Sequence, residues 1–301
     1  MIDYSIIIPH KNSPSLLIRC LDSIPQRDDL EVIVVDDNSD PSIVNFDNFP
    51  GINRPNTFCL FNKENGGAGL CRNLGLMQAK GKWLLFADAD DYYSQNLNIL
   101  LDKYKNVEDI DIVYFNAIIV DENREEKNGY WQKLFDDYAK GKYYSEKRLR
   151  YLLWTPWTRM VRRKIVEKNH IKYEEIPVGN DMKFCLECSY FAKRMNVFHN
   201  SIYNYYKPII GSITDKAYTV ENFASRMQNN ISANILYKKA RFWIKASNIF
   251  MLCYQIKQTP QYSDDYIKLY LRTMRKLKQS IILDTWRGLV RGLLHAIHWV
   301  D

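Results

Sequence analysis

Trp83-Leu84-Leu85-Phe86-Ala87-Asp88-Ala89-Asp90 is an unbroken apolar run that stops at two acids one residue apart, with Gly81-Lys82 just before it. Such a run, without polar alternation, is the pattern of an inner strand of a parallel sheet, buried on both faces. In open α/β sheets the ligand lies in the crevice beyond the carboxyl ends of the strands, so Asp88 and Asp90 are delivered to the mouth of a site. There they can hold Mg²⁺, which takes one or two protein carboxylates and completes its octahedron with water and substrate phosphates. A second reading of the same acids, with Asp91 and Ser94, is as caps for a helix beginning near Asn96.

Toward the N-terminus, short apolar runs alternate with helical periods. Ser5-Ile6-Ile7-Ile8 is followed by a helix with Ser13 as N-cap and Pro14 at its first position, carrying Leu16, Leu17, Cys20, Leu21 and Ile24 on one face. Val32 to Val35 is the second strand and ends at Asp36-Asp37, and Phe58 to Phe61 is the third. Asn65-Gly66-Gly67 then opens a helix bearing Leu70, Cys71, Leu74 and Met77, which Gly81 is expected to close. This alternation is that of a doubly wound α/β domain.

Toward the C-terminus the spacing predicts a strand over 111–120, helices over 145–153, 162–169 and 181–193, and a late strand at Ile202-Tyr203-Asn204-Tyr205-Tyr206. Residues 121–141 show no clear period and are expected to form an acceptor-side loop. Beyond Gly211-Ser212 the pattern is helical, which places a boundary near Asp215 and divides the chain into a catalytic domain, 1–214, and a helical region, 215–301.

Composition narrows the class. With 301 residues, 46% hydrophobic and 14% aromatic, the chain has material for a large core and about two domains. Its six cysteines form no framework and sit mostly in apolar segments, which suggests a reducing compartment. Cys185 and Cys188 are a lone C-x-x-C in a helical stretch and read as core. The N-terminus leads straight into a strand rather than through a signal sequence, and no stretch reaches the roughly 20 apolar residues of a membrane span, so a cytoplasmic location is expected. The net charge of +7 concentrates in Lys268, Arg272, Arg275, Lys276, Lys278, Arg287 and Arg291. That tail carries Trp286, Val290, Leu293, Ile297 and Val300 at helical spacing, with Arg287, Arg291 and His295 opposite. Such a helix suits an anionic membrane surface at the inner face of the cell membrane, or packing against the catalytic domain. No reader motif accompanies the charge, so nucleic acid is not expected as a partner.

Two strand ends thus present acids to one crevice, Asp36-Asp37 and Asp88-Ala89-Asp90. Between them glycines open a helix whose amides and dipole favour an anion, with Arg72 one turn in. The combination suits a nucleoside diphosphate. It is not a dinucleotide fingerprint, because the third glycine would fall at Arg72 and the loop follows the third strand rather than the first.

Ser5-Ile-Ile-Ile-Pro9-His-Lys-Asn12, Val34-Val-Asp-Asp-Asn-Ser39, Asn65-Gly-Gly-Ala-Gly-Leu-Cys-Arg-Asn73 and Phe86-Ala-Asp-Ala-Asp-Asp91, in this order, resemble family 2 glycosyltransferases of the GT-A fold that build bacterial surface polysaccharides. The resemblance covers roughly the first 120 residues well and extends more weakly to about Ser212. It implies a Rossmann-like α/β fold with the helical region as a C-terminal extension. It implies that Pro9 lines the base pocket, that Asp37 bonds the nucleobase or ribose, that Arg72 lies beside the nucleotide, and that Asp88 sits near the ribose. Asp90, with Asp88, would bind Mg²⁺ or Mn²⁺. The family's downstream acidic pair matches Asn180-Asp181, preceded by Trp157 to Arg162, and makes Asp181 the catalytic base. Asp181 also reads as an acid in the first turn of a helix capped by Asn180. The chain departs from the family at Lys11, where an aromatic residue often precedes the asparagine, and at Asn180, where glutamate is usual. His199 is a further candidate metal ligand. Tyr203 and Tyr205 read as packing residues, with Lys207 available for a phosphate.

The resemblance implies metal-dependent, inverting transfer of a sugar from a nucleotide sugar, UDP-linked, to a glycan or lipid-linked acceptor. Two alternatives stand beside it. A sugar-phosphate nucleotidyltransferase would place a glycine-rich basic loop after the first strand, where this chain has Pro9-His10-Lys11-Asn12. A catalytically silent nucleotide- or glycan-binding module would keep the scaffold alone.

Overall fold

Ile6-Ile7-Ile8 and Val32 to Val35 are β-branched on successive positions, so neither face of their strands tolerates water and both must be covered. In the computed structural model, which describes residues 2–207, 219–242, 247–276 and 279–296 (without the side chains of 221 and 290–296), they form β1 (Tyr4–His10) and β2 (Leu30–Asp37), buried at every position. With β3 (Thr57–Asn62) and β4 (Trp83–Phe86) they make a parallel set in the order β3-β2-β1-β4, with Ile7 opposite both Ile33 and Phe86. The sheet continues through β8 (Arg159–Arg162), β6 (Ile112–Val120), β9 (Met195–Tyr206) and β5 (Tyr92–Tyr93), while β7 (Glu126–Asn128) pairs with β6. Strand β8 runs antiparallel to both neighbours, and β9 runs parallel to β6.

Helix α1 (Pro14–Asp22) buries Leu17, Cys20 and Leu21 as the spacing predicts, although Ser13 makes no side-chain capping bond. Helix α2 (Gly67–Gln78) ends before Gly81, so Gly81 is not its terminator. A Cβ on Gly81 would lie 2.5 Å from the backbone of Tyr4 and Ser5, so a close chain approach demands glycine there. Met77, expected on the inner face of α2, is 71% exposed. Next come α3 (Asn96–Tyr104), α4 (Gln132–Ala139), α5 (Ser145–Leu152), α6 (Arg163–Lys168) and α7 (Met182–Phe191).

Residues 121–141 are not a loop. They hold β7 and α4, and Leu134 and Phe135 of α4 are buried beside Trp131, whose indole N–H donates to the carbonyl of Ala117 at 2.6 Å. The helix is only 8 residues long, and its apolar positions are interrupted by Gln132, Lys133, Asp136 and Asp137, which hides the period in sequence. The predicted 162–169 helix is split, Arg162 belonging to β8 and 163–168 to α6, with Asn169 as its C-cap. Cys185 and Cys188 are buried in the core on α7.

The chain divides into two compact units, Met1–Glu175 with Phe184–Ile209, and Ile176–Lys183 with Ile210–Asp301. The second holds α8 (Val220–Lys239), α9 (Asn248–Gln258) and α10 (Ser263–Lys276), which share a core of Phe223, Met227, Leu252, Tyr266, Tyr270 and Met274, and α11 (Ile281–Ala296). Asp284 of α11 accepts the amides of Asn248 and Ile249 at 2.9 and 2.7 Å, an acid placed on the positive end of α9. Of the predicted tail face, Trp286 is 61% exposed and Arg287 half-buried. The side chains of Val290, Arg291, Leu293 and His295, with Lys278, Ile297 and Val300, lie outside the described residues, as does the boundary position Asp215. No helix among the described residues is long and apolar enough to cross a membrane.

Candidate active site

Because β1, β2, β3 and β4 are parallel, their carboxyl ends open on one edge of the sheet, and the loops leaving them are tied together there. Asn12 donates its amide to Ser39 Oγ at 2.9 Å and accepts the amide of Asp40 at 2.7 Å, while Lys11 Nζ reaches Asn65 Oδ1 at 2.7 Å. Pro9 is buried near the end of β1 opposite Val35. The pairing of β1 with β4 stops at Ile7, so on that side the missing proline N–H costs no ladder bond.

The consecutive acids of β2 part company, since neighbouring strand residues face opposite ways. Asp36 is buried and binds His10 Nδ1 at 2.8 Å and the amide and hydroxyl of Ser39 at 2.9 and 2.5 Å. His10 Nε2 accepts the amide of Ser13 at 3.2 Å, which puts the proton on Nδ1, facing Asp36. Asp36 therefore does not present a carboxylate to the crevice. Asp37 accepts the amides of Gly66 and Gly67 at 2.9 and 3.0 Å, with Lys11 Nζ 3.6 Å away. The glycine turn does bind an anion, but that anion is the chain's own Asp37 rather than a free cradle for diphosphate. Gly67 adopts a left-handed φ of +76°, which aims both amides at one carboxylate.

Arg72, on the inner face of α2, is buried and donates to Asp88 Oδ1 at 2.5 Å, with its guanidinium 5.3 Å from the ring centre of Tyr173. Asp90 is exposed, yet it sits low between other acids. Desolvation first, and then the charge of Asp88, pushes its carboxyl up to about 6. Its carbonyl accepts Arg19 Nη2 at 2.5 Å, and the Arg19 guanidinium lies over the rings of Tyr206 and Tyr92 at 4.1 and 5.0 Å.

Asp91 is fully buried. Its oxygens accept the hydroxyl of Tyr203 at 2.8 Å and the amide of Tyr206 at 2.7 Å, and burial, then the charges of Asp90 and Asp88, raise its pKa well above the usual range. One oxygen each from Asp88, Asp90 and Asp91 lies within 4.8 Å of the others. An all-carboxylate set is the chemistry that hard divalent ions such as Mg²⁺ and Mn²⁺ select. With Asp91 held by β9, Asp88 and Asp90 are the members that reach solvent. His199 is exposed and is not among these three groups.

Asp181 lies in the turn immediately before α7, half-buried, and belongs to the second compact unit. The helix begins one position later than expected, so Asp181 rather than Asn180 directly precedes it. The preceding Gly179 has φ +72°, and its carbonyl accepts Asn229 Nδ2 at 2.9 Å. Tyr203 and Tyr205 do pack, both stacked on Trp157 at 4.9 and 5.6 Å between ring centres. Sequence reasoning missed Arg19, Asp91 and the hydroxyl of Tyr203. A further acid directly after Asp90, at Asp91, was the one available signal, whereas Arg19 and Tyr203 meet the loop from 71 and 112 residues away.

The parallel core, mixed sheet extension and acid-bearing loop after β4 define a GT-A-type α/β fold with a helical C-terminal region. The family model "Glycosyl transferase family 2" matches residues 5–169, and the chain belongs to that family. Among curated proteins it is 28% identical over 212 residues to the uncharacterized glycosyltransferase YibD of Escherichia coli K12, covering 67% of this chain and 60% of that protein. It is 25% identical over 284 residues to the poly(ribitol-phosphate) β-N-acetylglucosaminyltransferase TarS of Staphylococcus aureus, covering 87% of this chain and 48% of TarS. The chain thus spans about half to three fifths of the length of these relatives. The crystal structure of S. aureus TarS 1–349 in complex with UDP-GlcNAc superposes with a TM-score of 0.68 at 20% identity, over 91% of this chain and 81% of that one.

Proposed function

We propose that the protein transfers a sugar from a nucleoside-diphosphate donor, UDP-linked, to a hydroxyl of a glycan or lipid-linked saccharide, with inversion, in surface-polysaccharide synthesis. The observation that carries this reading is the pair Asp88 and Asp90, held at the carboxyl edge of the parallel strands with Arg72 bound to Asp88. The UDP preference draws on the fold shared with TarS, which was crystallised with UDP-GlcNAc.

Pro9 lines the base pocket, and Asp37 bonds the base or ribose while fixing the glycine turn. Arg72 lies beside the nucleotide and orients Asp88 near the ribose. Asp88 and Asp90 would hold Mg²⁺ or Mn²⁺, with Asp90 as the principal ligand. A divalent cation there supplies neutralisation of the charge that develops on the departing diphosphate. Asp181 takes the proton of the acceptor hydroxyl as that oxygen attacks the anomeric carbon from the face opposite the diphosphate.

The exposed side of α10 carries Ile267 and Leu271 among Lys268, Arg272, Arg275 and Lys276, and α11 exposes Ile282, Trp286 and Leu289. Apolar and basic groups on one surface suit peripheral contact with an anionic membrane, at its cytoplasmic face, where a lipid-linked acceptor would be met.

A thermal-shift panel of nucleoside diphosphates, each with and without Mn²⁺, tests base and metal together; stabilisation by UDP only when Mn²⁺ is present is expected. Radiolabelled donor should release nucleoside diphosphate. Release of pyrophosphate from a nucleoside triphosphate incubated with a sugar 1-phosphate would instead establish nucleotidyl transfer and overturn the reading.

A further inference from the structure

The loop Asp88-Ala89-Asp90-Asp91 carries its carboxylates on a backbone that belongs to no regular element apart from the strand behind it. A loop that must offer two like-charged groups to one ion needs its backbone fixed, because repulsion between them favours opening. The hydroxyl of Tyr203 fixes it at both ends. Its oxygen accepts the amide of Asp88 at 2.9 Å, and its proton is donated to Asp91 Oδ2 at 2.8 Å. One buried atom on β9 thereby ties the first and last residues of the loop, which are 115 and 112 residues away in sequence. The other oxygen of Asp91 is held by the amide of Tyr206 on the same strand. The ring that delivers the hydroxyl cannot swing, being stacked on Trp157 at 4.9 Å and edge-on to Tyr93 at 5.3 Å.

We propose that Tyr203 is a positioning residue: with Asp91 as its fixed acceptor, its hydroxyl sets Asp88 and Asp90 at the spacing that a divalent cation requires. Asp91 is then a structural acid and not a ligand, since both of its oxygens are engaged by β9. The proposal rests on the metal-dependent reading above and adds to it the group that builds the metal site from outside.

Tyr203→Phe removes the hydroxyl and keeps the ring in its stack. Tyr93→Phe is the matched control, because it also deletes a buried hydroxyl bond, from Tyr93 to the carbonyl of Phe86 at 2.9 Å, beside Tyr203 but not to the acidic loop. Mn²⁺ binding in the presence of UDP is measured by electron paramagnetic resonance of the free ion, with melting temperature recorded in parallel. Both variants are expected to melt a few degrees lower. Only Tyr203→Phe is expected to weaken Mn²⁺ binding, by roughly tenfold, the low end of what loss of an outer-shell partner costs a metal site. The half-saturating Mn²⁺ for turnover should rise by the same factor, while kcat at saturating metal is largely recovered. Equal Mn²⁺ affinities in Tyr203→Phe and wild type, or equal losses in both variants, overturn the positioning role. A wild type that binds no Mn²⁺ with UDP sinks the metal reading itself, and the proposal with it.

Discussion

Arg72 and Asp88 are 16 residues apart and joined by a 2.5 Å charge-assisted bond that runs from the inner face of α2 to the loop after β4. The guanidinium is buried and the carboxylate is 30% exposed, so the cation is the costlier partner to strand. The helix that holds Asp37 at its amino end therefore also orients the first acid of the metal-binding candidate.

Arg72→Ala should lower kcat/KM by roughly 10- to 100-fold through misplacement of Asp88. Arg72→Lys should recover only part of this, because a lysine ammonium cannot reproduce the fork geometry that meets both Asp88 and the ring of Tyr173. Steady-state kinetics at several Mn²⁺ concentrations provide the check. An Arg72→Lys variant with wild-type kinetics would show that the charge alone suffices.

Asp181→Asn should cut turnover by roughly 10²- to 10⁴-fold, the range for loss of a general base, and leave donor affinity within a factor of two or so. Nucleoside-diphosphate release measures the first and thermal shift with donor the second. Equal turnover by variant and wild type would move the base elsewhere.

The parallel half of the sheet was legible in sequence because both-face burial forces continuous runs such as Val32 to Val35, whose burial is complete. The acids at the ends of β2 and β4 followed from the same logic. What sequence could not supply was which partner each acid takes. Asp36 and Asp37 are indistinguishable in the chain, yet one binds His10 and Ser39 and the other the glycine turn. These outcomes depend on strand facing and on loops 26 to 30 residues away. Strand β8 escaped notice for a related reason. Arg159 and Arg162 look solvent-exposed by type, but their guanidinium groups are buried on backbone carbonyls, those of Cys185 and Ile110 among them.

Asp37→Ala should destabilise the fold by about 1–3 kcal/mol, because the amides of Gly66 and Gly67 lose their acceptor while the start of α2 loses its anion. Asp37→Asn keeps one acceptor oxygen and should cost less. Urea midpoints for the three proteins test the order. Repeating them with UDP separates the two roles proposed for this residue: a purely structural Asp37 leaves the UDP-induced gain intact, whereas one that also contacts the base or ribose reduces it.

Asp29, at the amino end of the parallel strands, links folding to pH. Arg27 grips Asp29 through Nε and Nη2 at 2.8 and 3.0 Å, Lys105 adds a bond at 2.8 Å, and the carbonyl of Asp29 takes the amides of Asp3 and Tyr4, which anchors the start of β1. The hydrogen bonds from Arg27, ahead of those from Lys105, hold the Asp29 carboxyl well below the usual range despite partial burial. A carboxyl with a lowered folded pKa binds its proton more readily in the unfolded chain. Its contribution is therefore complete above the ordinary aspartate pKa of about 4 and disappears as pH falls through the lower folded value. Asp29→Asn should lower the urea midpoint at pH 7 and flatten its decline between about pH 4 and pH 2 relative to wild type. Parallel acid profiles for the two proteins would mean that Asp29 carries no pH-linked stability, and that the grip of Arg27 on it is offset by the cost of desolvating both groups.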